Sequence, residues 1–157
     1  MMRTVTRNPE FNLVVFALLL NFPWETLQAP LFVGMGEAPY SEAIRGCLRA
    51  TLGDVVIMLL AYWIVSLAIR NRRWVLAPRA AHLTGFIALG VLITAVIEWL
   101  ATRGHWIASW SYSAGMPVVP GVGIGLSPLL QWVIVPPLVV WFVRRQLLLG
   151  SGDGAEY

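Results

Sequence analysis

Residues 83–103 read LTGFIALGVLITAVIEWLATR, and this stretch decides the fold. A helix of about 20 residues, rising about 1.5 Å per residue, crosses the roughly 30 Å hydrocarbon core of a bilayer. The stretch has that length, is apolar almost throughout, and is followed by Gly104, a residue typical of a helix C-cap. It therefore predicts a membrane-spanning helix that carries one acid, Glu98.

Three further stretches of the chain have the same character. They cover residues 9–28, 53–70 and 127–145, and the second has a helical extension back to Ser41 that suits the membrane interface. Of the 157 residues, 58% are hydrophobic and 12% are charged. An ordinary soluble protein has about 25% charged residues. We therefore expect an all-α, polytopic membrane protein, a four-helix transmembrane bundle that forms a single domain over 1–157.

The first of these stretches has two interpretations. Arg3 and Arg7 followed by the apolar run 11–20 also match a cleaved signal peptide. Pro30 lies directly after the candidate cleavage site and Glu10 lies ahead of the apolar run, and both argue against cleavage. We expect the helix to be retained.

The arginines predict the orientation of the bundle. They concentrate at both ends of the chain and in the segment between the second and third stretches: Arg3, Arg7, Arg70, Arg72, Arg73, Arg79, Arg144 and Arg145. Short segments rich in arginine stay on the cytoplasmic side. Four spans with both termini cytoplasmic satisfy this rule, so we expect a multi-pass protein of a bacterial inner membrane.

Composition excludes several classes of protein. The net charge of +3 comes from short loops between apolar runs, so no nucleic-acid partner is expected. The single cysteine, Cys47, excludes an internal disulfide framework and a cysteine-rich metal site. Two distant histidines make no metal pair, and we expect no metal and no cofactor. The expected partners are membrane lipid, a hydrophobic isoprenoid-like substrate, and a second copy of the chain or another membrane protein.

Acids inside apolar spans are the main indication of function. An ionisable side chain within a membrane is costly and usually faces the interior of the bundle, where it marks a functional site. Counting about 20 residues from the basic ends places Glu25, Asp54 and Glu98 about one turn inside the outer boundary. The fourth span adds Gln131 at a similar depth, and Gln28 lies just above. The alternative is that Arg45, Arg49 or Arg103 pairs with these acids and ties the helices together.

Aromatic residues gather in the same half of the membrane. The loop 104–126 reads GHWIASWSYSAGMPVVPGVGIGL and suits a re-entrant lid rather than a phosphate loop. Of the eight tryptophans, several lie in this loop or near the acids, where an interfacial aromatic belt is the alternative explanation. We expect Glu98, Glu25 and Asp54 as catalytic groups and, as substrate-binding side chains, Gln28, Trp99, His105, Trp110, Tyr112 and Gln131.

One part of the chain has a familiar order of residues. It comprises Glu98, Gly104, Trp110-Ser111-Tyr112-Ser113, the glycine-rich 121–125 and Pro128, together with the earlier Pro23-Trp24-Glu25 step. This order resembles the small membrane carotenoid-modifying proteins, the heterodimer-type lycopene cyclases and the carotenoid hydratases. The resemblance covers about a quarter of the chain. Those cyclases tend to carry acids after the helix-starting proline, where this chain has Leu129, Leu130 and Gln131.

Three functions are compatible with these features. The first is an enzyme that protonates an isoprenoid or other lipid, with Glu98 as the proton donor, Glu25 as its partner, and Trp99, Trp110 and Tyr112 as walls. Burial disfavours the charged form of a carboxyl group, and aromatic faces stabilise a developing cation. The second is a small transport or proton-relay module. The third is a non-catalytic subunit or assembly factor, packed through the small residues of the third span.

Overall fold

The computed structural model describes residues 7–152, and Arg3 of the predicted cytoplasmic N-terminus lies outside them. The described part contains four α-helices: α1 Pro9–Gln28, α2 Tyr40–Ala68, α3 Ala80–Ala101 and α4 Leu126–Gly152. Short 3-10 turns follow α1 at Ala29–Leu31 and precede α3 at Trp74–Leu76. The prediction of an all-α fold is confirmed.

Local sequence explains where α1 begins and which face it buries. The backbone N–H of Phe11 donates to Oδ1 of Asn8 at 3.1 Å, so Asn8 caps the helix and Pro9 occupies its first turn. Pro23 lies inside the helix. Apart from the adjacent Asn12 and Leu13, the buried residues recur every three or four positions, and four of them are polar: Asn12, Asn21, Glu25 and Gln28. The inward face of α1 is therefore polar over much of its length.

The second helix is a single element of 29 residues, longer than the predicted span over 53–70. The extension back towards Ser41 belongs to the same helix. Its buried residues Cys47 and Thr51 continue the spacing of Val55 and Met58 further along. One inward face therefore runs the whole length of α2. The fourth helix likewise extends beyond the predicted 127–145.

The four helices form a closed ring: consecutive helices pack against each other, and α4 packs against α1. At the α3–α4 contact the ring of Trp132, 1% exposed, lies against the backbone of Gly90. Near the opposite end, Trp74 packs against Tyr62 and Phe86 with ring centroids 5.9 and 5.6 Å apart. Bulky aromatic side chains thus fill the bundle at two levels.

Three helices of the described part are long and apolar enough to cross a membrane: Tyr40–Ala68, Ala80–Ala101 and Leu126–Leu149. These three helices therefore have the length and the apolar composition expected of a membrane protein. The first helix has 20 residues and is not among these three, and four of the residues on its buried face are polar. That α1 is a fourth span stays a prediction.

Contacts bring the arginine-rich segments to one end of the bundle. Arg72, after α2, forms an ion pair of 2.5 Å with Glu10 at the start of α1, and the Glu10 carboxylate raises the pKa of the Arg72 guanidinium. The hydroxyl of Tyr62 donates to the Arg72 carbonyl. Nε of Arg144 in α4 donates to the carbonyl of Leu76 at 3.0 Å. This arginine-rich end lies opposite the end that carries Glu25 and Glu98.

Replacing Gly90 with alanine should destabilise the bundle. An added Cβ would lie 1.8 Å from Cε3 of Trp132, so the ring would have to move, and such overpacking costs about 1–3 kcal/mol. We expect a lower midpoint of thermal unfolding in detergent. Gly53→Ala is the matched control, because its Cβ meets no atom within 4 Å, and it should leave the midpoint equal or higher. Equal midpoints for the two variants would contradict the Trp132 packing.

Candidate functional site

The side chain of Gln131 joins three helices at the centre of the bundle. Its Nε2 donates to Oδ1 of Asn21 in α1 at 2.9 Å and to Oδ2 of Asp54 in α2 at 2.8 Å. Gln131 itself belongs to α4 and is 2% exposed. A buried amide with partners on two other helices fixes the depth at which those helices meet.

Gln28 extends this network towards residues 104–126, which we call the outer loop because the arginine pattern predicts that they lie on the outer side of the membrane. Its Nε2 donates to Oε1 of Glu25 at 2.7 Å and lies 3.4 Å from Oε1 of Gln131. Its Oε1 accepts from Oγ of Ser127 at 2.8 Å and from Nε1 of Trp24 at 3.3 Å. Both atoms of the Gln28 amide are thus occupied, and the side chain is held between the ends of α1 and α4.

The carboxyl groups of Glu25 and Asp54 lie within hydrogen-bonding reach of each other. Glu25 is 8% exposed and Asp54 is half-buried. Two carboxyl groups form a hydrogen bond only when one of them carries a proton, since two bare carboxylates have no donor and repel. We call Glu25, Asp54, Gln28, Gln131 and Asn21 the carboxyl cluster.

Glu98 of α3 approaches the carboxyl cluster from the other side. It is 6% exposed and lies close enough to interact electrostatically with Glu25 and Asp54. Its Oε2 accepts from Nε1 of Trp110 at 3.1 Å and from the hydroxyl of Tyr112. Two donors from the outer loop therefore hold the Glu98 carboxyl in one orientation.

The outer loop covers this end of the bundle. It pairs with the segment after α1: Val33 N–H donates to the Ser111 carbonyl and Ser113 N–H to the Leu31 carbonyl, each at 2.9 Å. The Tyr112 hydroxyl also accepts from the Gly125 N–H at 2.9 Å, which connects Glu98 to the start of α4. The predicted lid is thus an ordered layer pinned to an acid of the bundle.

Burial, and then the hydrogen bond to Glu98, raise the pKa of Tyr112 above its ordinary value. The neutral phenol is therefore favoured in the folded state. Its contribution to stability is complete below the ordinary tyrosine pKa of about 10 and is lost as the pH rises through the raised value. The phenol of Tyr112 should consequently remain a hydrogen-bond donor to Glu98 across the neutral range.

The structure brings most of the predicted site residues together, but not all. Glu25, Asp54, Gln28 and Gln131 share one network, and Glu98, Trp110 and Tyr112 share another beside it. Trp99 and His105 lie outside both networks. Trp99 is 42% exposed with the Arg103 guanidinium 4.5 Å above its ring, and His105 is exposed in the loop. The residue beside Glu98 points away because adjacent helical positions diverge by about 100°.

The alternative of arginine neutralisation does not match the geometry. Arg45 donates to the carbonyl of Ser41 in its own helix, and Arg103 donates to the carbonyls of Trp99 and Val122. Within residues 7–152, neither of these two side chains nor Arg49 forms an ion pair with Glu25, Asp54 or Glu98. Neutral donors hold the three acids instead.

Sequence reasoning missed Asn21 and Ser127, although one signal pointed to the first. Asn21, Glu25 and Gln28 are spaced by four and three residues, so they share one face of a helix. That periodicity could have placed Asn21 beside the acids. The hydroxyl of Ser127 bonds to Gln28 across the bundle, a contact between distant parts of the chain that no local pattern indicates.

Two further polar atoms are buried near Glu98. Thr94 lies one helical turn before Glu98 on the inward face of α3, and Trp132 packs against Gly90 one turn earlier. Thr94 Oγ1 and Trp132 Nε1 have no hydrogen-bond partner among the described residues. The α3–α4 contact therefore contains a buried hydroxyl and a buried indole N–H that are not hydrogen-bonded to any described residue.

No protein-family model matches the sequence, and no curated protein or solved structure matches it either. The resemblance to carotenoid-modifying proteins therefore stays a prediction. Within residues 7–152, no group of three His, Cys, Asp or Glu side chains is arranged to hold a metal ion.

Replacing Gln131 with methionine should destabilise the protein by about 1–3 kcal/mol, because the Asn21 and Asp54 oxygens lose a buried donor. Methionine keeps the length of the side chain, so the change removes hydrogen bonds rather than volume. Thermal unfolding in detergent measures the effect. Gln146→Met, on an exposed position of the same helix, is the matched control and should change little. A Gln131 variant as stable as the control would contradict the central role of the amide.

Replacing Tyr112 with phenylalanine should loosen the outer loop. It removes a donor to Glu98 and an acceptor for Gly125, at a cost of about 1–3 kcal/mol in local stability. We expect the Val33 and Ser113 amides to exchange with deuterium about tenfold faster, measured by mass spectrometry. Tyr40→Phe, at a side chain that is 83% exposed, should leave both amides unchanged. Unchanged exchange in the Tyr112 variant would show that the bond between Tyr112 and Glu98 does not hold the loop.

Proposed function

We propose that this chain is a four-span membrane protein whose buried acids catalyse proton transfer to a hydrophobic, isoprenoid-like lipid. The observation that carries the proposal is the meeting of three carboxyl groups from three helices without an arginine partner among the described residues. A membrane protein that needed these side chains only as structural ties would be expected to neutralise them with cations.

The orientation of the bundle is part of the proposal. The arginine-rich end, where Arg72 meets Glu10 and Arg144 meets Leu76, is the cytoplasmic end by the positive-inside rule. The helices alternate in direction around the ring, so both termini lie on that side if α1 also crosses. This places the carboxyl cluster in the outer half of the bilayer, beneath the outer loop.

The two carboxyl networks suit two different tasks. Glu25 and Asp54 hold a proton between them and supply it to a substrate double bond. Glu98 accepts two hydrogen bonds that stabilise its carboxylate against the effect of burial, and in this proposal it takes a proton from the neighbouring carbon of the cation. The sequence suggested Glu98 as the proton donor, and in this proposal Glu98 is the proton acceptor instead. One proton enters the substrate and one leaves, so an isomerisation or cyclisation balances without a co-reactant once the proton on Glu98 returns to Glu25 and Asp54.

Several groups around the acids support this chemistry. Trp110 and Tyr112 direct their N–H and O–H groups at Glu98, and the faces of these rings could stabilise positive charge on a substrate beside it. Thr94 Oγ1 and Trp132 Nε1 could bond a polar group of the substrate at the α3–α4 contact. The outer loop excludes water, which protects a carbocation from capture.

Expression in a lycopene-accumulating host tests the proposal. We expect altered pigments with the wild-type chain, and a loss of product of about 100-fold or more with Asp54→Asn or Glu98→Gln, because general acid–base groups contribute that much. Glu42→Gln, an exposed acid at the start of α2, is the matched control and should keep full activity. Unchanged pigment with well-expressed wild-type protein would count against an isoprenoid substrate, and active Asp54 and Glu98 variants would remove the catalytic assignment.

A proton-relay module is the second candidate, and one observation favours it. Hydrogen bonds run without a break from Ser127 through Gln28 and Glu25 towards Asp54. Glu25 and Asp54 could pass a proton between them, while Ser127 and Gln28 hold this pair in place. Proton flux into liposomes separates the two functions: a flux that Asp54→Asn abolishes would favour the relay, and its absence would favour the enzyme.

A further inference from the structure

The arginine-rich end of the bundle carries more positive charge than its acids can balance. Arg70, Arg73 and Arg79 lie in or beside the α2–α3 connection there, with Arg72, Arg144 and Arg145. Within the described residues, Glu10 is the acid at this end, and it is already bonded to Arg72. An anionic ligand is therefore the partner that this end favours electrostatically.

A groove of about 310 Å³ lies at this end of α4, lined by Trp141, Arg144, Arg145, Leu148 and Leu149. Two arginines thus share a small concavity with three apolar side chains. Trp141, Leu148 and Leu149 are 49%, 48% and 63% exposed. The lining combines a site for negative charge with a wall for hydrocarbon, which is the chemistry of a lipid molecule rather than of a free ion.

Both arginines are held in place without using their full capacity. Nε of Arg144 donates to the Leu76 carbonyl at 3.0 Å, and this is its one hydrogen bond to the described residues. The Arg145 guanidinium lies 5.5 Å from the centre of the Trp141 ring. The terminal nitrogens of the two side chains therefore remain able to donate to an anion, and a guanidinium group can hold a phosphate with two parallel hydrogen bonds.

We propose that this groove binds one anionic phospholipid, with its phosphate on Arg144 and Arg145 and an acyl chain along Trp141. Trp141 is the lining residue nearest the membrane interior in a helix that is apolar enough to span, so the chain of the lipid lies on that side. The positive charge of the neighbouring loop selects a lipid with net negative charge over a zwitterionic one.

Native mass spectrometry of protein extracted from vesicles of equal phosphatidylglycerol and phosphatidylcholine tests the site. We expect one retained phosphatidylglycerol, preferred about tenfold or more over phosphatidylcholine. Arg144→Gln/Arg145→Gln should abolish the preference. Arg45→Gln/Arg49→Gln removes the same charge at the opposite end and should preserve it. Arg145→Gln alone leaves the bond to Leu76 intact, so it should fold and lose the preference several-fold.

Three results would overturn the proposal. One is equal retention of the two lipids by the wild-type chain. Another is an undiminished preference in the folded Arg145→Gln variant, judged by an unchanged midpoint of thermal unfolding. The third is displacement of the lipid by millimolar inorganic phosphate, which would assign the site to a free phosphate.

Discussion

The bonds that Gln131 donates to Asn21 and Asp54 are the constraint on which the rest of the structure depends. In a bilayer core no water is available to satisfy a polar side chain, so these groups must find one another within the protein. A single amide that serves α1 and α2 from α4 fixes the relative depth of three helices. The positions of Glu25 and Gln28, one and two turns further along α1, follow from that depth.

The next residue in α4, Trp132, fixes the position of the remaining helix, α3. Trp132 points about 100° away from Gln131 and packs against Gly90 of α3, where no larger residue would fit. Gly90, Thr94 and Glu98 follow one another at intervals of four, so the close contact at Gly90 turns Glu98 inward two turns later. Adjacent polar and aromatic positions on one helix thus set the two halves of the site.

The sequence allowed the meeting of the acids at one level of the bundle to be predicted, because the level follows from counting residues along a helix of known rise. It did not allow the direction in which each side chain points to be predicted. Trp99 was expected to line the site and instead faces outward beside Arg103. Asn21 was missed, although its spacing from Glu25 places it on the same face. Helix bounds are local properties of caps and prolines, whereas the choice between an arginine and a neutral partner for each acid depends on packing between distant segments.

The two ends of the bundle differ in whether their charged side chains are exposed or buried. At the arginine-rich end, charges stay exposed or pair at the surface, as Arg72 does with Glu10. At the other end, Glu25 and Glu98 are buried and bonded to neutral donors beneath an ordered loop. Burying acids in this way is costly, and a protonatable cluster shielded from water is the property that a catalyst of lipid protonation needs.

Infrared spectroscopy of the reconstituted protein tests most directly the claim that the cluster holds a proton. At neutral pH the account predicts the carbonyl stretch of a protonated carboxylic acid in the wild-type protein. The band should disappear in Glu25→Gln/Asp54→Asn and persist in Glu42→Gln. A wild-type spectrum without that band would contradict the account, because two ionised carboxylates could not remain within hydrogen-bonding reach of each other.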